Sequence, residues 1–216
     1  TTEKGLCNFN GYTFNYFTQE EMTTKAGSCI KEDAFGRIWY ENFDGYLYYV
    51  ENNVLKKLKQ EKALGYFKYG IIDNSLYIIN EKGLDVYDLK NLTYSKTISF
   101  GTTYLNAVCF NENQVFVFTD KLRIIEKDQI VQEINYPEDF IKSFNSIIVE
   151  KSNDGLLICS KFKDYAYFLK CTYFKKVTLN IDKTIVQNIS WCNDKNWLCT
   201  TIGLIEFDKN QKSNKI

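Results

Sequence analysis

The sequence predicts an all-β fold, a β-propeller built of four-stranded antiparallel blades of about 40 residues. Three observations lead to this prediction. The sequence repeats with a period near that length, and each period holds short runs rich in Tyr, Phe, Ile, Val and Thr. No stretch shows the apolar spacing of an amphipathic helix. With 216 residues, 44% of them hydrophobic, the chain is long enough to bury a sizeable core.

A large apolar residue marks the second strand of each repeat. This marker recurs every 38 to 41 residues, and the turn before the third strand recurs every 38 to 43 residues. Because one blade cannot bury both faces of its own sheet, we expect the markers to pack between neighbouring blades. The predicted core residues are Trp39, Tyr77, Phe116, Leu157 and Trp197. The recurring turns fall at Gly5, Gly45, Gly83, Lys121, Asp164 and Gly203.

The repeats also predict the domain organisation. Residues 1–20 are expected to form the outer half of a truncated blade, and residues 21–216 five consecutive blades of one domain. The predicted blades are 21–60, 61–100, 101–140, 141–182 and 183–216. Either the chain is an incomplete ring with five to six blades present, or a closed ring has an unusual blade count. Natural β-proteins avoid unpaired strand edges, which favours the incomplete ring.

Charge and cysteine content argue against several classes of partner. Lys+Arg and Asp+Glu are balanced at 27 each, so no charge excess favours binding to nucleic acid or to an anionic membrane surface. No apolar stretch approaches the ~20 residues of a transmembrane helix. The 7 cysteines are interpreted as small buried side chains, with disulfides as the alternative. We expect no metal site and no cofactor.

The residue types needed for common catalytic mechanisms are missing. The chain has 0 histidines, which excludes Ser-His-Asp and Cys-His catalysis. Two carboxylate pairs, Glu32–Asp33 and Glu138–Asp139, are interpreted as turn or loop residues rather than as the facing acids of a glycosidase. No phosphate-binding glycine motif is present. We therefore expect that this chain is not an enzyme.

The best-defined repeat, at Ser28 to Tyr49, resembles the two-component regulator propeller repeat. The matching residues are Ile30, Asp33, Gly36, Ile38, Trp39, Gly45 and Tyr49. Partial copies of its second half occur at 5–10, 83–88 and 200–208, while Glu41-Asn42 replaces the usual Gly-Thr. Propellers of this family usually have more blades than this chain can form.

The resemblance implies a ligand-binding sensor domain of a hybrid two-component signalling protein of the Bacteroidetes type. Such a domain lies in the periplasm, and the full-length parent is a sensor histidine kinase anchored by a transmembrane segment outside this chain. The implied ligand is an oligosaccharide, and the implied role is regulation of glycan utilisation.

Ligands of propellers bind at loops at one end of the channel, so we expect the second-to-third-strand turns and the blade connections to carry the site. Aromatic rings beside amides or charged groups are typical of sugar binding, because C–H faces stack on rings and hydroxyls take hydrogen bonds. The predicted ligand-binding residues are Asn42, Phe43, Asn80, Lys82, Tyr104, Asp120, Lys161 and Phe162. Tyr66 and Phe140 are further candidates on blade connections.

Two other functions are compatible with the architecture. One is a protein-interaction scaffold of the WD-repeat type, and the less favoured one is a propeller lyase or glycosidase. A homodimer is a reasonable arrangement for a receptor of this kind, although no sequence feature requires it.

Overall fold

A computed structural model describes most of the chain as β-strands. The described residues are 3–19, 22, 24–59, 69–80, 83–101, 107–111, 113–141, 147–152, 155–179, 185–193, 195–207 and 213–215. Contacts divide the chain into two compact units, unit 1 (Thr1–Thr103) and unit 2 (Tyr104–Ile216). That the blades form one domain stays a prediction.

Unit 1 contains one two-stranded and two four-stranded antiparallel sheets among its described residues. The small sheet pairs β1 (Cys7–Phe9) with β2 (Phe14–Tyr16). The first large sheet contains β3 (Gly27–Glu32), β4 (Ile38–Asn42), β5 (Leu47–Glu51) and β6 (Val54–Lys57). The second contains β7 (Tyr69–Ile72), β8 (Ser75–Asn80), β9 (Gly83–Asp88) and β10 (Thr93–Ser99).

Unit 2 contains three four-stranded antiparallel sheets in its described residues. The first comprises β11 (Ala107–Asn111), β12 (Gln114–Phe118), β13 (Leu122–Glu126) and β14 (Gln129–Ile134). The second follows the short helix α1 (Glu138–Ile141) and comprises β15 (Ile147–Ser152), β16 (Gly155–Ser160), β17 (Tyr165–Lys170) and β18 (Tyr173–Thr178). The third comprises β19 (Val186–Cys192), β20 (Lys195–Thr200), β21 (Gly203–Phe207) and β22 (Ser213–Lys215).

In every large sheet the strands pair in chain order, as they do in a propeller blade. The prediction of an all-β propeller fold with four-stranded antiparallel blades is therefore confirmed. Among the described residues, no helix is long and apolar enough to span a membrane.

The core lies between neighbouring sheets within each unit. In unit 1, Trp39 and Tyr49 of the β3–β6 sheet pack with Leu76 and Tyr87 of the next sheet. In unit 2, one cluster joins the β11–β14 sheet to the β15–β18 sheet, and another joins the β15–β18 sheet to the last one. Stacking therefore buries the apolar faces that a single blade would leave exposed.

Trp39 and Trp197 occupy equivalent positions, since each stands three residues before the end of its second strand. Their burial differs. Trp39 and Leu157 are fully buried and the predicted core residues Tyr77 and Phe116 are buried, whereas Trp197 is only half-buried. The core placement predicted for Trp197 is corrected, because its cross-strand partners Ser190 and Glu206 make its face polar. Leu198, one residue later, is the core residue of that strand.

The cysteines depart from the prediction that most are buried. All seven thiols are free. Cys109 and Cys159 are buried, Cys171 and Cys192 are exposed, and the rest are half-buried. The two exposed thiols, Cys171 and Cys192, lie at or beyond the ends of their strands rather than in the middle of a sheet.

Candidate functional site

A buried polar side chain anchors the turn between the second and third strands in several sheets. Asn42 Oδ1 accepts a hydrogen bond from the Tyr46 amide at 2.8 Å, and Asn42 Nδ2 donates to the Thr24 carbonyl at 2.9 Å. Asn80 Oδ1 accepts from the Gly83 amide at 3.1 Å. These two amides, predicted to bind ligand, are hydrogen-bonded within unit 1, to backbone groups and to the Asp85 side chain.

In unit 2, hydroxyl groups anchor the equivalent turns. Thr119 Oγ1 donates to the Lys121 carbonyl at 3.1 Å, and Thr200 Oγ1 donates to the Gly203 carbonyl at 2.8 Å. The sequence did not single out these threonines. Their signal is a polar residue at the end of each second strand, one step before the turn.

Asp120, another predicted ligand residue, belongs to a charged network. Its carboxylate lies 2.7 Å from Arg123 Nη1, and Arg123 Nε lies 2.8 Å from Glu133. Lys121 Nζ completes the network at 3.0 Å from Glu133. The hydrogen bond from Arg123 lowers the pKa of Asp120, so the carboxylate is held ionised and paired.

Among the predicted ligand residues that the structure describes, Phe43 and Phe162 present apolar surface to solvent. Their exposed fractions are 47% and 66%. Phe43 lies at the tip of a turn whose backbone is bonded to Ala26. Phe162 lies beside Lys161 in the turn between β16 and β17, and both are exposed.

Two turns of unit 2 are tied together by the start of β19. The Val186 amide donates to the Lys161 carbonyl at 3.1 Å. The Thr201 amide donates to the Ile185 carbonyl at 3.1 Å, and the Ile185 amide donates to Thr201 Oγ1 at 3.3 Å. Consecutive residues therefore hold the β16–β17 turn next to the β20–β21 turn.

The exposed side chains on these tied segments form what we call the turn surface of unit 2. It consists of Lys161, Phe162, Ile185, Thr201 and Ile202, of which Ile185 is 39% and Ile202 50% exposed. Three apolar side chains beside an ammonium group and a hydroxyl suit a ligand that has both an apolar face and hydrogen-bonding groups. Exposed apolar groups clustered in this way mark interaction sites more often than scattered ones do.

The sequence identified only two residues of this surface. Ile185, Thr201 and Ile202 were missed, although the Thr200–Gly203 turn occupies the same position in its sheet as the turn that holds Phe162. The predicted residues Lys82, Tyr104 and Tyr66 lie outside the described residues. Phe140 is 1% exposed, so it belongs to the core rather than to a ligand surface.

One carboxylate of each pair is bonded to a basic residue within the chain, and Glu138–Asp139 lies in α1 rather than in the predicted turn or loop. Asp33 Oδ2 accepts from Trp39 Nε1 at 2.8 Å and from Arg37 Nε at 2.7 Å, and its Oδ1 accepts from the Phe35 and Arg37 amides. Burial alone raises the pKa of Asp33, but these hydrogen bonds outweigh it and hold the pKa below its usual value. Asp139 is paired with Lys176 at 2.7 Å, which lowers its pKa.

The fold defines the class of protein, a β-propeller. No protein-family model and no curated protein sequence matches the chain. Solved structures do match, at identities that show the fold alone.

Three matches represent these structures. The first is the extracellular domain of BT4673 from B. thetaiotaomicron, with 14% identity, a TM-score of 0.75, and coverage of 99% of this chain and 34% of that one. Its two structures name it a one-component and a hybrid two-component system. Virginiamycin B lyase from Staphylococcus aureus gives 11% identity and a TM-score of 0.65, covering 88% and 69% of the two chains. The C-terminal WD40 domain of Sif2 gives 14% identity and a TM-score of 0.66, with coverage of 88% of this chain and 57% of that one.

The BT4673 neighbour shares the propeller fold that the resemblance of the Ser28–Tyr49 repeat implied. The chain spans about a third of the length of that structure.

Proposed function

We propose that this chain is the ligand-binding portion of an extracytoplasmic sensor, and that it recognises an oligosaccharide through the turn surface of unit 2. The observation that carries the proposal is the exposure of Phe162, at 66%, on a turn that is hydrogen-bonded to the start of β19, where Ile185 is hydrogen-bonded to Thr201 of the β20–β21 turn. A sugar ring stacks its C–H face on Phe162, while Lys161 and Thr201 offer hydrogen bonds to its hydroxyls.

Backbone ties make this surface suitable for binding. Hydrogen bonds from Val186 to Lys161 and from Thr201 to Ile185 fix the two turns before a ligand arrives. Binding then costs less conformational entropy than it would on loose loops, which improves affinity without additional contacts.

The signalling context rests on two supports. The repeat resembles the two-component regulator propeller, and the BT4673 neighbours are named as extracellular domains of regulatory systems. We propose a periplasmic location, a parent that is a hybrid two-component histidine kinase, and a role in regulating glycan utilisation.

We also propose that the chain binds its ligand without transforming it. The lyase neighbour is named as catalytically inactive when one of its histidines is replaced by alanine, and this chain contains 0 histidines. Asp33 and Asp139, one from each carboxylate pair that a glycosidase mechanism would recruit, are already paired with Arg37 and Lys176.

Isothermal titration against a panel of oligosaccharides tests the proposal. We expect one glycan class to bind the wild type, and Phe162→Ala and Ile202→Ala each to weaken it by about tenfold. Tyr173→Ala is the matched control, because Tyr173 is 70% exposed but lies at the third-to-fourth-strand turn, at the other end of the same sheet. A flat response to the whole panel from a folded protein would contradict the proposal.

A protein-interaction scaffold is the second candidate. The WD40 neighbour and the apolar character of Phe162, Ile185 and Ile202 favour it. The genomic context separates the two functions, since a transmembrane segment and a kinase encoded downstream support the sensor. Sedimentation analysis of wild type and Phe162→Ala shows whether the same surface forms a homodimer.

A further inference from the structure

Unit 1 contains a cavity of about 420 Å³ between the β1–β2 hairpin and the β3–β6 sheet. This volume falls within the roughly 300–1,000 Å³ of typical small-molecule sites. Its lining comes from both elements, with the rest of the wall supplied by the turns at Gly36 and at Asn52–Asn53. These turns lie at the opposite end of the sheet from the Asn42–Tyr46 turn, so the cavity is separate from the second-to-third-strand turns.

The inner wall of the cavity is apolar. Leu6 and Val50 are buried, and Phe17 and Ile38 are half-buried beside them in the same core cluster. Phe9 adds an aromatic ring at the edge, 54% exposed and stacked on Phe14 at 4.6 Å between ring centroids. An aromatic ring held in place by a second ring is a ready platform for a flat apolar face.

Three carboxamides supply the polar lining, from Asn8, Asn52 and Asn53. All three residues are exposed, and in the described portion of the chain their side chains have no hydrogen-bond partner. Each amide offers both donors and an acceptor. Among the described residues that line the cavity, none is charged.

The turn that presents two of these amides is well defined. Asn52 and Asn53 have φ angles of 52° and 61° between β5 and β6, the paired left-handed conformation of a two-residue hairpin turn. Asparagine tolerates this conformation, so the backbone holds both amides in place beside the apolar wall.

We propose that this cavity binds an uncharged sugar residue. Apolar C–H groups of the ring contact Phe9 and the wall, and hydroxyls pair with the three amides. A charged sugar is disfavoured, because its ionic group would lose water without gaining a counter-charge. The cavity is a second binding site that does not depend on the turn surface of unit 2.

Cys7 gives a direct readout, because it is a free, half-buried thiol in the cavity lining. We would measure iodoacetamide alkylation of Cys7 by peptide mass spectrometry, with glucose, galactose, mannose, N-acetylglucosamine and their disaccharides as probes. The exposed Cys171 serves as an internal reference. A sugar that binds, at about ten times its dissociation constant, is expected to slow the alkylation of Cys7 about tenfold and to leave the alkylation rate of Cys171 unchanged.

Matched variants locate the site. Phe9→Ala and Asn52→Gly are each expected to weaken sugar binding about tenfold, so that the same sugar concentration slows alkylation of Cys7 only about twofold. Glycine keeps the left-handed turn intact. The controls are Tyr12→Ala, 94% exposed on the same hairpin, and Asp128→Gly, which has a φ of 61° in the corresponding turn of unit 2. In both control variants the sugar should protect Cys7 as it does in the wild type. Circular dichroism checks that every variant is folded.

Three outcomes would overturn the proposal. They are no protection of Cys7 by any neutral sugar, protection that Phe9→Ala and Asn52→Gly leave unchanged, and protection by cyclohexanol but by no sugar. Phe162→Ala should not alter Cys7 protection, so failure of this site and failure of the turn surface give different results.

Discussion

Arg37 in the β3–β4 turn donates a hydrogen bond from its guanidinium to the carbonyl oxygen of Leu89 in the next sheet. The same side chain is paired with Asp33, which also accepts the indole N–H of Trp39. One buried ion pair therefore fixes a turn, positions the largest core side chain and links two blades. The repeat motif contains Asp33, Gly36 and Trp39, so it supplies the carboxylate and the indole of this arrangement. Arg37 and the Leu89 carbonyl are not part of the motif.

Replacing Arg37 tests this linkage. Arg37→Met removes the partner of a carboxylate whose side chain has 0% exposure. We expect the free energy of unfolding to fall by about 3–5 kcal/mol, because an unpaired buried charge remains. Urea unfolding followed by circular dichroism measures the change.

Lys56→Met is the control, because Lys56 and Glu51 form an exposed ion pair at 2.6 Å. Exposed pairs contribute little, so no measurable change is expected. Equal losses in the two variants would show that the Asp33–Arg37 pair has no special role.

The pH dependence of stability follows from Asp33. Its folded-state pKa lies below the unfolded value, so its contribution is complete above the unfolded pKa of about 3.9 and is lost as pH falls through the folded pKa. Urea unfolding from neutral to acidic pH should show stability falling at the acid end. Asp33→Asn should flatten that fall, and an unchanged slope would contradict the assignment.

The two equivalent tryptophans should respond differently to the same substitution. Trp39→Phe removes a buried indole donor from Asp33, and we expect a loss of about 1–3 kcal/mol. Trp197→Phe changes a half-buried ring on a polar face, and we expect less than about 0.5 kcal/mol. Denaturant midpoints at constant slope measure both, and a larger loss for Trp197 would place it in the core after all.

The free thiols should react in order of exposure. Burial raises the pKa of Cys159, and the thiolate is the reactive form, so native Cys159 should be alkylated more slowly than Cys171 by a factor on the order of a hundred or more. Mass spectrometry of a timed alkylation gives both rates. Comparable rates in the folded protein would mean that Cys159 is accessible.

The sequence predicted the blades well, because the repeat period and the strand composition are local signals. Both can be recognised without knowing how the sheets pack. It predicted burial less well where the face of a strand mattered. The marker position of Trp197 is correct, but Ser190 and Glu206 across the strands decide which face is apolar. The residues of the candidate site were harder to predict, since a polar residue at a turn can bind either a ligand or its own backbone.

Asn42 and Phe43 separate these two roles within one turn. Asn42 is fully buried and bonded to Tyr46 and Thr24, so Asn42→Ala should cost about 1–3 kcal/mol of stability by removing both hydrogen bonds to these part-buried backbone groups. Phe43 is 47% exposed, so Phe43→Ala should change stability by less than about 0.5 kcal/mol.

A third variant distinguishes turn anchoring from simple packing. Thr119 and Thr200 anchor the equivalent turns through their hydroxyls, so Asn42→Thr should recover part of the stability that Asn42→Ala loses. Urea unfolding of the three variants beside the wild type gives the comparison. If threonine is no better than alanine at this position, the side chain stabilises the turn by filling space, and the shared polar anchor is not what defines these turns.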